Sequence, residues 1–237
     1  MLPRRLIATV ALLAAVWPGT ALAAHAAPGM SSDVVRTVLI LSLLAVVPAV
    51  VISMTSFVRI VVVLSMVRHA FGMPETPPNP VLVSLALFLT AFTMAPTLNA
   101  VNSQALKPLL AGAATVEQAM AKGSAPLRDF MLAQTRDSDI EAIYAIAKTP
   151  VPDKPEQVEI LKLAPAFILN ELRVSFTIGF VILLPFLLID LVVASILLAL
   201  GMMMVPPATI SLPIKILMFV LIDGWGLILR GVPGSFR

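Results

Sequence analysis

Asp190 and Lys215 stand thirteen residues before and twelve residues after Met203, and the stretch between them, Leu191 to Ile214, carries no charge. A charge at the centre of an apolar helix costs about 2.5–3.5 kcal/mol on insertion scales, so such a residue faces a partner or water. On a hairpin centred at Met203 the two reach similar depths. The chemistry open to them is ion pairing, or facing protein or a pore. Snorkelling to a membrane surface is the alternative for either one, and it suits Asp223 and Arg230 better than Asp190. Glu171 and Arg173 are two residues apart and do not face each other on a helix. They are expected to mark an interface or to contact a neighbouring subunit.

Reactive groups are otherwise scarce. The chain has two histidines, His25 and His69, and no cysteine. Disulfides, thiolate metal sites and cysteine nucleophiles are therefore excluded. No Ser-His-Asp set, paired-carboxylate motif, phosphate loop or metal-ligand spacing is present. His69 lies beside a turn and reads as an interfacial side chain rather than a ligand. The expectation is a protein that is not an enzyme and carries no cofactor and no metal.

Between the two charges runs LGMMMVPPATISLP, Leu200 to Pro213. Gly201 can end a helix, and Pro206-Pro207 cannot continue one. Irregular backbone is expected from Met202 to Ala208. At apolar depth such backbone survives only when buried in protein or lining an aqueous cavity, because lipid leaves its amides unpaired. Met202, Met203 and Met204 are unbranched and polarizable, and suit a seal that closes around objects of varied shape. A hydrophobic constriction of this kind can also exclude water. The alternative is a plain interfacial hairpin between two spans.

These residues sit in a membrane-class chain. Of 237 residues, 59% are hydrophobic and 12% charged, against roughly 25% charged in soluble domains. The formal charge is +3, but Arg4 and Arg5 fall in a segment that reads as a signal peptide. Without them, fourteen basic residues face thirteen acidic ones. No basic stripe points to nucleic acid. Arg4 and Arg5 form a basic start, Leu6 to Val16 an apolar core too short to span comfortably, and small residues follow. Cleavage is expected near residue 23 or 26, leaving the mature N-terminus outside the cytoplasm. Residues 1–26 are thus read as a signal peptide.

Apolar blocks then cover about Val38–Val67, Val81–Leu98, Leu163–Leu200 and Ile210–Leu229. The third would be roughly 57 Å long as one helix, against a bilayer core of about 30 Å. Pro165, Gly179 and Pro185 are expected to kink it, unless the helix extends beyond the bilayer. Pro77 and Pro78 forbid helix in the short connection Phe71–Pro80. Asn99–Lys162 is the one hydrophilic stretch, with seven basic and eight acidic residues. Thr115–Gln118 and Ser138–Glu141 match capping boxes, and Gly123 is a plausible helix stop. Leu127, Phe130, Met131 and Gln134 share one helical edge; Ile140, Ile143, Tyr144 and Ala147 share another. These faces are too small for a core of their own and must pack on the apolar blocks or on neighbouring subunits. The fold class is all-α: a multi-helix, membrane-associated protein with kinked helical hairpins. The boundaries are 27–98 for a first hairpin, 99–162 for a small extracytoplasmic helical region, and 163–237 for a second hairpin with the methionine-rich loop.

Four segments carry a resemblance: MTSFVRIVVVLSMVRHAFG (54–72), LALFLTAFTMAP (85–96), PLRDFMLAQTRDSDI (126–140) and the long LPFLLIDLVVASILLALGMMMVPPATISLPIKILMFVLIDGW (184–225). The chain resembles the FliP family of flagellar biosynthesis proteins, the R component of type III secretion export gates, over essentially its whole mature length. Pro80 and Ser84 stand where the family pattern has glutamine and glycine, and Leu109 where it has an aromatic. The resemblance implies a non-enzymatic, pore-forming subunit of the bacterial inner membrane and flagellar basal body. It implies several copies of this chain joined with two smaller proteins, FliQ and FliR, assembled with help from FliO. Unfolded rod, hook and filament subunits would pass through. It also implies a gate lifted towards the periplasm, so that apolar helices are buried in protein. The family's methionine gasket maps onto Met202, Met203 and Met204, and its sensitive charges onto Asp190 and Lys215. A virulence injectisome gate is the nearest alternative, although its members usually lack a signal peptide. A small-solute transporter, a different class, would show inverted repeats and polar midplane sites; neither is present.

Overall fold

The computed structural model describes residues 37, 41, 45, 47–72 and 75–236. The expected signal peptide lies outside them. The chain divides into two compact units, 1–47 and 48–237, and the elements numbered α1 to α9 all belong to the second. Every regular element among the described residues is helical: α1 (Phe57–Ala70), α2 (Asn79–Thr93), α3 (Ala95–Val101), a π-helical turn (Asn102–Leu106), α4 (Lys107–Leu110), α5 (Val116–Gln134), α6 (Asp137–Ile146), a 3-10 turn (Pro155–Gln157), α7 (Ile160–Ala199), α8 (Pro207–Leu221) and α9 (Gly224–Gly234). The fold is all-α, as the hydrophobic patterning implies.

α7 is the spine. Its 40 residues run unbroken through Pro165, Gly179 and Pro185, giving about 60 Å at the standard rise. The helix is continuous and longer than a bilayer core is thick. Gly179 has a packing role. A Cβ there would meet Met66 Sδ at 2.2 Å, so the glycine lets α1 approach closely.

Two apolar clusters use different lengths of this spine. Near its start, Leu163, Ala166 and Phe167 pack with Met131 of α5 and with Ile140 and Tyr144 of α6. The small hydrophilic-region helices thus bury their apolar edges on α7, as their size requires. Further along, Phe186 packs with Ile60, Val63, Leu64 and Val67 of α1, Phe219 of α8, and Ile228 and Val232 of α9.

Local signals explain most helix ends. Thr115 and Gln118 form a reciprocal capping box at the start of α5, satisfying two orphan amides. Ser138–Glu141 does not. α6 starts at Asp137 without a side-chain cap, and the Asp139 carboxylate is bound instead by Arg173 at 2.7 and 2.8 Å. Gly123 does not stop α5, which continues to Gln134. A Cβ at Gly123 would lie 3.0 Å from Ala105 Cβ, so this glycine serves the close packing of α5 on the π-helical turn. α2 begins immediately after Pro78, with Pro80 in its first turn, where its missing amide costs nothing.

α7 alone is long and apolar enough to cross a membrane as a single helix among the described residues. Three further pairs reach that length only together, and each is bent: Val47–Met54 with α1 by 69°, α2 with Ala95–Leu110 by 67°, and α8 with α9 by 66°. Within the helices, hydroxyls turn inward. Thr90, Ser175 and Ser195 each donate to the carbonyl four residues back, so these polar groups need no outside partner.

Glu171 and Arg173 each form an ion pair from the spine to a neighbouring helix, and the full burial of Glu171 corrects the expectation that it marks an interface or contacts a neighbouring subunit. Glu171 is fully buried and binds Arg59 of α1, which is 2% exposed, through both guanidinium edge nitrogens. Arg173 binds Asp139 of α6. Two residues apart on a helix project about 200° from one another, so each charge meets a different element of the same chain. Removing one partner of a buried pair costs about 3–5 kcal/mol because the other is left uncompensated, whereas apolar replacement of both is often neutral. Arg59→Met should therefore lower the thermal unfolding midpoint in detergent sharply, and adding Glu171→Leu should recover part of the loss. Simple addition of the two losses would count against a mutually neutralising pair.

Candidate functional site

α7 ends in a compact hydrogen-bonded closure. Gly201 is left-handed, with φ +72°. Its amide donates to Leu198 O at 3.0 Å, and the Met202 amide donates to Leu197 O at 2.9 Å. This double closure is a Schellman motif, and only glycine takes the left-handed position without strain. Pro206 is extended and Pro207 is the first residue of α8, a favoured place for proline. Irregular backbone therefore ends at Pro206, not at Ala208: Pro207 cannot continue a helix but starts one well. Seven residues, Leu200 to Pro206, make the whole connection.

The three methionines occupy its tip. Met202, Met203 and Met204 are 44%, 81% and 95% exposed. The last two are left almost uncovered by the described residues. Around them stand further exposed apolar groups: Leu198 and Leu200 on one arm, Ile210 on the other. The site is thus a flexible apolar tip on two rigid apolar arms.

The arms are cross-linked by charge. Lys215 Nζ donates to Asp190 Oδ2 at 2.6 Å. The lysine side chain is 7% exposed and the aspartate 41%. The pair therefore has a buried cationic side and an open anionic side. Buried Ser211, one turn before Lys215 on α8, also hydrogen-bonds to this carboxylate. Asp223 and Arg230, assigned to an interface by the sequence, lie 3.7 Å apart and are largely exposed. Asp223 takes a left-handed conformation at the α8–α9 corner and accepts a hydrogen bond from the Gly226 amide.

His69 Nδ1 lies 2.6 Å from the Ser65 carbonyl. Among the described residues no cluster of three His, Asp or Glu side chains could hold a metal. What the arrangement can do physically is exclude water, deform around a passenger and hold two arms at fixed separation. Sequence reasoning misses the Arg59 centre, although a signal is present. Arg59 and Glu171 are opposite charges set in apolar blocks, and each needs a partner for that reason.

Similarity to known proteins agrees with this architecture. Residues 40–232 match the FliP family. The flagellar biosynthetic protein FliP of Pectobacterium carotovorum is 50% identical over 202 residues, covering 85% of this chain and 78% of its own length. The protein of the same name from Bacillus subtilis strain 168 is 45% identical over 209 residues, with 88% and 95% covered. That of Caulobacter vibrioides is 43% identical over 234 residues, with 96% and 88% covered. With a match spanning most of the chain, from before α1 to the later part of α9, the protein belongs to the FliP family.

Proposed function

We propose that this chain is a pore-forming subunit of the flagellar type III protein export gate. Several copies would join FliQ and FliR, with FliO assisting assembly, in the bacterial inner membrane at the flagellar basal body. Unfolded rod, hook and filament proteins are the cargo. The protein is not an enzyme on this reading; export energy comes from other subunits. The observation that carries the proposal is the uncovered tip Met202–Met204 on two apolar arms held by Asp190 and Lys215. The flagellar names of the relatives favour this reading over an injectisome gate with different cargo. Deleting the gene should abolish motility and remove hook and filament proteins from the culture medium, and a plasmid copy should restore both. Secretion that continues in the deletion strain would end the proposal.

The gasket role predicts a separable defect. Replacing Met202, Met203 and Met204 together with alanine should raise leakage of ions and small solutes through the assembled gate, with assembly largely intact. An unchanged leak rate would remove the gasket.

The charge pair predicts rescue. Asp190→Lys or Lys215→Asp alone sets like charges side by side in an apolar setting, so export should fall at least about tenfold. The double reversal should restore part of it. Secretion no better than in either single variant would show that the two charges act separately.

A further inference from the structure

The segment that follows α9 is tied into the buried centre of the fold. Arg59 Nη1 donates to the Ser235 carbonyl at 3.0 Å and to Ser235 Oγ at 3.1 Å. The same guanidinium lies 3.8 Å from the centroid of the Phe236 ring. Phe236 also stacks on Phe130 of α5, with centroids 6.2 Å apart and planes at 28°. Arg59 in turn is held by Glu171 of α7. Two residues beyond the last helix thus engage α1 and α5 directly, and α7 through the ion pair. A planar guanidinium makes this possible: its edge bonds a carboxylate and a carbonyl while its face lies on a ring.

The tie has a mechanical consequence. α9 docks through Ile228 and Val232, both buried in the cluster around α1. At the Asp223 corner it joins α8, bent by 66°. α8 carries Lys215 and begins at the methionine loop. The loop arm is therefore held by Lys215 on Asp190, by Phe219 in the cluster with Phe186, and at its far end by α9.

We propose that Ser235 and Phe236 form a clasp that pins α9 onto α1, and that Phe236 is thereby a positioning residue for α8 and the methionine loop. The clasp stands on geometry alone; its effect on the loop rests on the proposed export role. A cation over an aromatic face in a water-poor setting is at the strong end of such contacts, and loss of the ring removes it without touching the Arg59–Glu171 pair.

The chain has no cysteine, so Val232→Cys gives a single thiol. Val232 is 2% exposed, and a thiol there is reached only when α9 lifts. The full chain, purified in detergent, is labelled with a maleimide. Adding Phe236→Ala should speed labelling about tenfold, the loss expected when a well-desolvated cation–π contact is removed. Phe236→Tyr keeps the ring and should stay slow; Phe236→Leu keeps bulk without a π face and should behave like alanine. Equal rates for the alanine variant and the parent overturn the clasp. Leucine protecting as well as tyrosine overturns the role of the ring on Arg59. In cells, Phe236→Ala should raise the small-solute leak. The triple methionine-to-alanine variant should raise the leak but leave Val232→Cys labelling slow. Faster labelling with an unchanged leak overturns the positioning role. If the methionine variant does not leak either, the gasket falls, and the labelling rates still decide the clasp.

Discussion

A guanidinium and a carboxylate shut away from water inside an apolar bundle must neutralise each other, and much of this molecule is arranged around that requirement. Arg59 and Glu171 meet between α1 and α7. Coulomb attraction alone does not offset the desolvation of two ions; further hydrogen bonds are needed to satisfy what remains. Ser235 and Gln134 supply them to Arg59. The partners of Arg59 come from different regions, so satisfying one buried pair brings α1, the end of α5, α7 and the segment after α9 to a single point. Apolar packing has no such directional demand. It could tolerate sliding of these helices along one another, whereas the polar centre sets their register.

α7 gives that register its reach. A continuous helix of 40 residues carries the buried carboxylate near its first third and Asp190 near its last. Between them Gly179 admits Met66 at a distance no Cβ would allow. The two internal prolines remove hydrogen bonds at their own positions but do not interrupt the helix, because packed neighbours surround it on more than one side. Rigidity along this axis is what lets a constraint at Glu171 bear on the geometry at Asp190, about 28 Å away at the standard helical rise.

Much of this is legible in the sequence, and the failures have a common cause. Apolar blocks, the Pro77-Pro78 connection and the Thr115 capping box follow from composition and local hydrogen bonding, which act over a few residues. The two edges at Met131 and at Ile140 and Tyr144 read as apolar faces needing a partner, and the start of α7 is that partner. Gly123 misleads a local reading because its meaning depends on what packs against it. A glycine that ends one helix admits a neighbour in another, and nothing within four residues tells the two apart. Ser138 misleads because the aspartate beside it has a stronger partner 34 residues away. The partners of Glu171 and Arg173 within the chain are hidden because an isolated sequence shows a charge but not the arginine or aspartate that reaches it.

The methionine loop obeys the same constraints acting in reverse. Its entry is closed by the Schellman hydrogen bonds of Gly201 and Met202, and its exit is stiffened by Pro206 and Pro207. With both ends ordered, the short connection holds Met203 and Met204 away from the arms. The tip therefore stays uncovered on a single copy. An apolar tip in water is unfavourable by about 25 cal/mol for each Å² left exposed. On the proposed export reading the cover is the equivalent tips of neighbouring subunits when the pore is shut, and the passing polypeptide when it is open. Thioether side chains suit both states because they repack at little cost, while the rigid arms keep the tips at constant height.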